Sequence, residues 1–280
     1  MNIYRTLEKY AFRFSKKYGQ NFIGDENLLD AIVSDAGIAD SDTVLEIGAG
    51  AGTLTKAIAA RAKRTVAFEI DRSLEPVLND TLYGADNCEI IFADIMDYPP
   101  EKLDEIAGGK FKVTANLPYY ITTPVIFRLL ECKNLISATV MVQKEVAQRI
   151  CAAADTPEYG ALSVAVQTVS SPEIKRIVGR NSFTPPPGVD SAIVRMDVAR
   201  RTDIENKETF DMLVRAAFAM RRKTFVNNLV SHAGMNKTQA AELLAAAGFS
   251  PMIRGEAISV DGFVKLSNAL FKTENGKNRT

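Results

Sequence analysis

Short apolar runs rich in β-branched residues recur through the first half of the chain, at residues 43–47, 65–70, 89–92, 111–115 and 138–142. Each is too short for a helix and is bounded by polar residues or glycine, so each predicts a strand. Between them the apolar positions repeat at helical spacing. Asp25 precedes Leu28, Leu29, Ile32 and Val33, which share one face and predict a capped helix. Further helical patterns run over residues 53–62, over 72–83, from Pro124 through Val125, Ile126, Phe127, Leu129 and Leu130, and near 144–152. Proline suits a first helical turn, where its missing N–H has no partner to lose. Strands that alternate with helices predict a parallel sheet covered on both faces.

The pattern changes after about residue 152. Residues 163–170 and 190–198 read as two more strands with no clear helix between them. They predict an antiparallel addition at one sheet edge. Phe183-Thr184-Pro185-Pro186-Pro187-Gly188 lies between them as a stiff loop. Residues 199–207 are polar and mark a boundary. Beyond them the pattern is helical only: Phe210, Leu213, Val214, Ala217 and Phe218 share a face, and Leu243 and Leu244 sit in an alanine-rich stretch. The expectation is an α/β domain over residues 1–200, its sheet mostly parallel with an antiparallel edge strand. A small all-helical domain follows over 201–280.

Composition narrows the function. The chain has 280 residues, enough for these two domains. Lys plus Arg number 34 and Asp plus Glu 34, a balance that argues against a uniformly basic nucleic-acid binder. The charge is uneven, however. The first twenty residues hold Arg5, Lys9, Arg13, Lys16 and Lys17 against Glu8 alone, and Arg221, Arg222 and Lys223 form a second cluster. A local basic surface binds phosphates even when the far side is acidic. His232 is the only histidine, which argues against histidine-based triads and multi-histidine metal sites. Cys88, Cys132 and Cys151 lack metal-ligand spacing and read as reduced thiols of a cytoplasmic protein. No apolar run approaches the ~18 residues of a spanning helix, and the N-terminus lacks an apolar core of signal-peptide type.

The candidate chemistry falls at the ends of the predicted strands. Gly48-Ala49-Gly50-Ala51-Gly52 follows the first strand of the alternating region and lets a ligand lie against the backbone. Its G-x-G-x-G spacing departs from the dinucleotide fingerprint. Glu69, at the end of the second strand, is an acid placed to accept both hydroxyls of a ribose. Asp94 ends the third and can accept from an adenine amine. The fourth runs into Asn116-Leu117-Pro118-Tyr119. Pro118 stops that strand in a rigid turn. The turn sets out an amide, a free carbonyl and an aromatic ring, a set that suits a flat heterocycle with an exocyclic amine. Open α/β sheets bind ligands at these strand ends. Together the groups describe a nucleoside pocket without a pyrophosphate clamp, and S-adenosylmethionine fits it.

With these motifs the chain resembles the ribosomal RNA adenine dimethyltransferases of KsgA type, within the class I S-adenosylmethionine-dependent methyltransferases. Gly19-Gln20-Asn21-Phe22 is similar to the family's first cofactor motif, and residues 48–52, Glu69 and Asp94 to the next ones. Asn116-Leu117-Pro118-Tyr119 matches its catalytic motif, and Gln143-Lys144-Glu145 a following segment. Residues 183–192 are similar to its F-x-P-x-P-x-V-D-S-A. Arg222-Lys223-Thr224 with Asn227-Asn228-Leu229 resembles its R-K-T…N-N-L. The resemblance covers nearly the whole chain. Ile23 where leucine is usual, and Tyr120 where asparagine or histidine is common, are the departures.

The resemblance implies a Rossmann-like class I methyltransferase sheet that dimethylates N6 of two adjacent adenosines near the 3′ end of 16S ribosomal RNA. It implies Asn21, Ile23, Gly48, Gly50, Glu69, Asp94 and Asn116 at S-adenosylmethionine. Asn116, Leu117, Tyr119 and Phe183 are then expected at the target base, with Phe183 equally readable as a core aromatic of the proline loop. Arg221, Arg222 and Lys223 are expected at RNA, or else as a solvated face. The expected partner is 16S ribosomal RNA in an assembling small subunit, met by a monomer with no metal and no membrane. A sister family that methylates large-subunit RNA shares the cofactor motifs but usually reads N-I-P-Y. A non-catalytic assembly factor on this fold is the third reading, and the intact Asn116-Leu117-Pro118-Tyr119 argues against it.

Overall fold

The strand-forming runs join one seven-stranded sheet in the computed structural model, ordered Cys88–Phe92, Arg64–Glu69, Thr43–Ile47, Phe111–Asn116, Leu135–Gln143, Ser191–Val198 and Ser170–Val178. Residues 3–15 and 18–277 are described, with backbone alone for Ile3, Tyr4 and 274–277. In chain order the strands are β1 (Phe22–Ile23), β2 (Thr43–Ile47), β3 (Arg64–Glu69), β4 (Cys88–Phe92), β5 (Phe111–Asn116), β6 (Leu135–Gln143), β7 (Ser170–Val178), β8 (Phe183–Thr184) and β9 (Ser191–Val198). β2 pairs in parallel with both β3 and β5, β3 with β4, and β5 with β6. β9 runs antiparallel to β6, from Ser137↔Asp197 to Gln143↔Ser191, and β7 lies beyond it at the edge. Val44, Leu45 and Ile47 of β2 are all buried, as a central strand covered on both faces requires. The chain leaves β2 for β3 on one side and returns to β5 on the other. That reversal of strand order opens a crevice at the strand ends.

The capped helix forms as expected at Glu26–Asp35. The Asp25 carboxylate accepts the N–H groups of Asn27 and Leu28, and Leu29, Ile32 and Val33 are buried. One expected strand is not a strand. Residues 163–169 belong to a helix, Ala161–Val169, and the strand begins only at Ser170, as β7. Leu162, Val164 and Val166 alternate as in a strand but are buried within a helix. Its start is fixed by Ser163, whose hydroxyl accepts the Gly160 N–H at 3.1 Å. β7 escaped notice because an edge strand needs no continuous apolar run. It tolerates Pro172, and most of its side chains are at least partly exposed.

The described chain forms two compact units. One comprises residues 1–147 and 171–198, the other 148–170 and 199–280. The division therefore differs from a single cut at residue 200. Helix Ala161–Val169 supplies Val164 to the second unit's core, together with Tyr159, Phe210, Phe225, Leu244 and Phe263. The Tyr159 hydroxyl donates to the Ile258 carbonyl at 3.0 Å within the same unit. The first unit buries Ile32, Val33, Val44, Ile58 and Ile193 in one cluster and Phe22, Leu74, Val77 and Leu78 in another.

Glu46 of β2 is 1% exposed, and its Oε2 has no hydrogen-bond partner among the described residues. Burial pushes its pKa well above the usual carboxylate range, and the Glu69 charge adds to the effect. The folded protein thus holds a proton at pH values where the unfolded chain has released it. This contribution to stability is full below the unfolded carboxyl's pKa of ~4.3. It is lost as pH rises through the raised value. Glu46→Gln removes that loss. Its Tm is expected to meet the parent's at the acid end of a pH series and to exceed it at the alkaline end. Each kcal/mol regained raises it by roughly 2–4 °C. Parallel curves across the series would exclude this role.

Candidate active site

β2 runs into residues 48–52, where the chain must turn sharply under the end of β3. Gly48 (φ +79°) and Gly50 (φ +57°) hold the left-handed conformation that the turn requires. The Gly48 and Ala49 N–H groups both donate to the Phe68 carbonyl, at 2.9 and 3.0 Å. A Cβ on Gly50 would meet the Phe22 ring at 3.1 Å.

Glu69 closes β3 beside this turn. Its Oε2 accepts the Gly50 N–H at 2.7 Å and its Oε1 accepts the Asp71 N–H at 2.8 Å. Burial raises the Glu69 pKa, and these N–H groups pull it partly back. A carboxylate offers about four lone pairs, so acceptor capacity remains on both oxygens. Asp94, beyond β4, accepts the Met96 N–H on Oδ1 at 2.8 Å.

At the end of β5 the Asn116 Nδ2 donates to the Asn21 carbonyl at 2.9 Å. A carbonyl partner fixes which end of the amide is which, so Oδ1 is the end left to accept. The Leu117 side chain is buried, and its N–H is held by the Met141 carbonyl at 3.2 Å. Its own carbonyl takes no protein donor among the described residues. The Tyr119 hydroxyl lies 2.9 Å from the Ser191 hydroxyl, which holds the half-buried ring in place. Burial raises the Tyr119 pKa.

Asn21, Gly48, Gly50, Glu69, Asp94, Asn116, Leu117 and Tyr119 line one cleft, with about 850 Å³ of empty space that includes its open mouth. Ile23 and Phe183 do not line it. Phe22 does, and successive residues of a strand face opposite sides, so Ile23 turns into the apolar core with Leu29 and Val33. Phe183 stands opposite Ile23 in the β1–β8 pair and is buried in the same cluster. The side chains of Ile23 and Phe183, expected at the cofactor and at the target base, thus pack in this core, the place equally expected of Phe183. Reading the first motif missed that Tyr18 and Gln20 also form the wall, and Ile70 and Tyr120 join them. An apolar residue directly after the strand-ending acid was the available signal for Ile70.

The basic clusters divide in the same way. Arg221 is held by Glu256 at 2.7 Å and by the Pro157 carbonyl at 2.5 Å. The side chains of Arg222 and Lys223 are exposed and take no ion-pair partner among the described residues. Arg5 and Arg13 are exposed, Lys9 pairs with Asp80 at 2.8 Å, and Lys16 and Lys17 lie outside the described residues.

A sequence model of the family described as "Ribosomal RNA adenine dimethylase" matches residues 11–248. The chain belongs to the ribosomal RNA adenine dimethylase family. It is 43% identical to "Ribosomal RNA small subunit methyltransferase A" of Clostridioides difficile (strain 630), over 95% of this chain and 93% of that one. Among solved structures it is similar to a dimethyladenosine transferase from Plasmodium falciparum, with TM-score 0.77 and 28% identity over 90% of this chain and 98% of that one. It is also similar to the 23S rRNA methyltransferase ErmE, with TM-score 0.71 and 26% identity over 90% and 100% of the two chains. The fold is that of a class I methyltransferase, as the motifs implied, and the enzyme is an rRNA adenine dimethyltransferase that uses S-adenosylmethionine.

The cleft suits that cofactor. Its described lining holds two carboxylates, Glu69 and Asp94, and no lysine or arginine. Such a lining favours a cationic nucleoside over a nucleotide with phosphates. Glu69→Ala is expected to weaken S-adenosylhomocysteine binding by about 1–3 kcal/mol in calorimetry. Acidification should do the same. A ribose donates to the ionised carboxylate, and protonation removes that acceptor. Because burial raises the Glu69 pKa, affinity should start to fall at a higher pH than an ordinary carboxylate would give. Unchanged affinity in the folded variant would take Glu69 out of the site. Among the described residues no helix is long and apolar enough to cross a membrane, and no cluster of His, Cys, Asp and Glu could hold a metal.

Proposed function

We propose that this enzyme dimethylates N6 of two adjacent adenosines in the hairpin near the 3′ end of 16S ribosomal RNA. The observation that carries the reading is the pair of free acceptors at the end of β5, the Asn116 Oδ1 and the Leu117 carbonyl. An adenine amine is a poor nucleophile because its lone pair is delocalised into the ring. Two acceptors on its N–H groups draw the nitrogen toward a pyramidal shape and aim the lone pair. The extra proton leaves after transfer, so no strong base is needed and catalysis is orientation plus electrostatics. Bound in the cleft, S-adenosylmethionine supplies a methyl group on its sulfonium. Glu69 holds the ribose, Asp94 the cofactor's adenine amine, and Gly48 and Gly50 allow close approach. The target base must leave its stack, and the Tyr119 ring, tethered through Ser191, offers it a surface.

The small-subunit target is supported by the 43% identity to a relative named for it, against 26% to the large-subunit methyltransferase structure. The all-helical unit serves RNA recognition through Arg222 and Lys223. The enzyme acts in the cytoplasm, as a monomer, on an assembling small subunit. Small- and large-subunit RNA can be incubated with enzyme and labelled cofactor, then analysed by mass spectrometry. Label on two neighbouring adenosines of the small-subunit RNA is the expected result. Label confined to large-subunit RNA would overturn the assignment.

A further inference from the structure

Residues 19–21 are tied to both halves of the cleft. The Ser15 N–H donates to Gln20 Oε1 at 2.7 Å, and Gln20 Nε2 donates to Asp71 Oδ2 at 2.7 Å. Asp71 is 8% exposed. Its Oδ1 accepts the Ser73 N–H at 3.0 Å and the Ser73 hydroxyl at 2.6 Å. Its own N–H donates to Glu69, whose other oxygen takes the Gly50 N–H. One residue past Gln20, the Asn21 carbonyl accepts the Asn116 amide, and the Asn21 Nδ2 donates to the Gly19 carbonyl at 3.1 Å. A buried carboxylate oxygen needs a donor. Among the described residues only Gln20 supplies one to Asp71 Oδ2. A continuous hydrogen-bonded path therefore runs from Gly50 through Glu69, Asp71 and Gln20 to the segment whose carbonyl orients Asn116.

We propose that Gln20 is a positioning residue that couples cofactor binding at Glu69 to the setting of the Asn116 amide. The inference rests on the reading that Glu69 holds the ribose and Asn116 the target amine. Engagement of Glu69 steadies the Asp71 loop, and Asp71 steadies Gln20. With Gln20 held, the Asn21 carbonyl stays where Asn116 must meet it. Loss of the link removes a cleft wall and also frees the amide to turn. Cofactor affinity and turnover then fall together, although Gln20 touches no reacting atom.

The test exchanges the two polar groups. Gln20→Glu sets a second carboxylate against Asp71. Asp71→Asn sets two amides together, and either amide can satisfy the other only by turning a donor toward the Ser15 or Ser73 N–H. Each single variant is expected to bind S-adenosylhomocysteine roughly tenfold more weakly in calorimetry, with a lower kcat as well as a raised KM. The double variant Gln20→Glu/Asp71→Asn restores one donor and one acceptor and leaves the Ser15 and Ser73 bonds possible. It is expected to return to within about threefold of the parent. Single variants that bind normally, or a double variant as weak as the singles, would overturn the coupling. A second arm needs no substitution: amide hydrogen exchange at residues 18–22 of the full chain should slow when S-adenosylhomocysteine is added, and unchanged exchange counts against the proposal. Glu69→Ala separates the two levels. Normal binding by that variant sinks the ribose reading, whereas weak binding by it with normal binding by Gln20→Glu sinks the coupling alone.

Discussion

Asn116→Ala is expected to lower kcat by roughly 10²–10³-fold, the range for losing one positioned hydrogen-bonding group that acts in the transition state. The fold should barely notice. Asn116 is only partly buried, and among the described residues its side chain bonds to the Asn21 carbonyl alone. A bond of that kind contributes about 0.5–1.5 kcal/mol, or a few degrees of Tm at this size. Leu117 remains after the substitution, so one of the two acceptors survives and some turnover should persist. Cofactor affinity should fall much less than turnover, since Glu69 and the glycine turn are untouched. Steady-state kinetics on small-subunit particles, with thermal unfolding and S-adenosylhomocysteine calorimetry beside them, separates the three effects. A folded variant that turns over at near the parent rate would sink the mechanism.

What the sequence made legible follows from where local chemistry decides the structure. The parallel strands were readable because a strand buried on both faces is mostly apolar, and Val44, Leu45 and Ile47 of β2 keep that run despite Glu46. The strand-end residues were readable because glycine, an acid and N-L-P-Y each have a local reason to sit there. Helix Ala161–Val169 was not readable as a helix, because its surroundings bury it so fully that alternation and helical spacing both fit. The helix Pro100–Ala107 was missed for the opposite reason: only Leu103 and Ala107 are buried, so the apolar stripe is thin. Which face each apolar residue presents was not readable either. Phe22 and Ile23 are both apolar and both buried. Only the pairing of β1 with β8 decides which one meets the cleft, and Phe183 follows from the same register. Arg221 shows the limit for charges. Its partners Glu256 and Pro157 are distant in sequence, so nothing local told it apart from its two neighbours.

Arg222→Glu with Lys223→Glu is expected to weaken binding to small-subunit particles by tenfold or more at low salt, and to flatten the salt dependence. Each phosphate that the protein no longer neutralises lowers the slope of log K against log salt by about 0.7–0.9, so two of them lower it by roughly 1.4–1.8. The substitutions are well placed because the turn that carries them is fixed from within. Buried Asn228 donates to the carbonyls of Ala217 and Met220 at 3.0 and 3.3 Å, and the Phe225 N–H donates to Ile253 at 2.7 Å. Arg221 is occupied with Glu256. Neither the Arg222 nor the Lys223 side chain belongs to this internal network, so reversing their charge leaves the turn intact. Removal of residues 208–280 is a poorer test, since residues 148–170 pack in the same unit and would lose their core. S-adenosylhomocysteine affinity should be unchanged in the variant, and its defect should appear as a higher KM for the particle with kcat largely kept. An unchanged salt slope would mean that Arg222 and Lys223 face only solvent, and recognition would then have to be sought at Arg5 and Arg13.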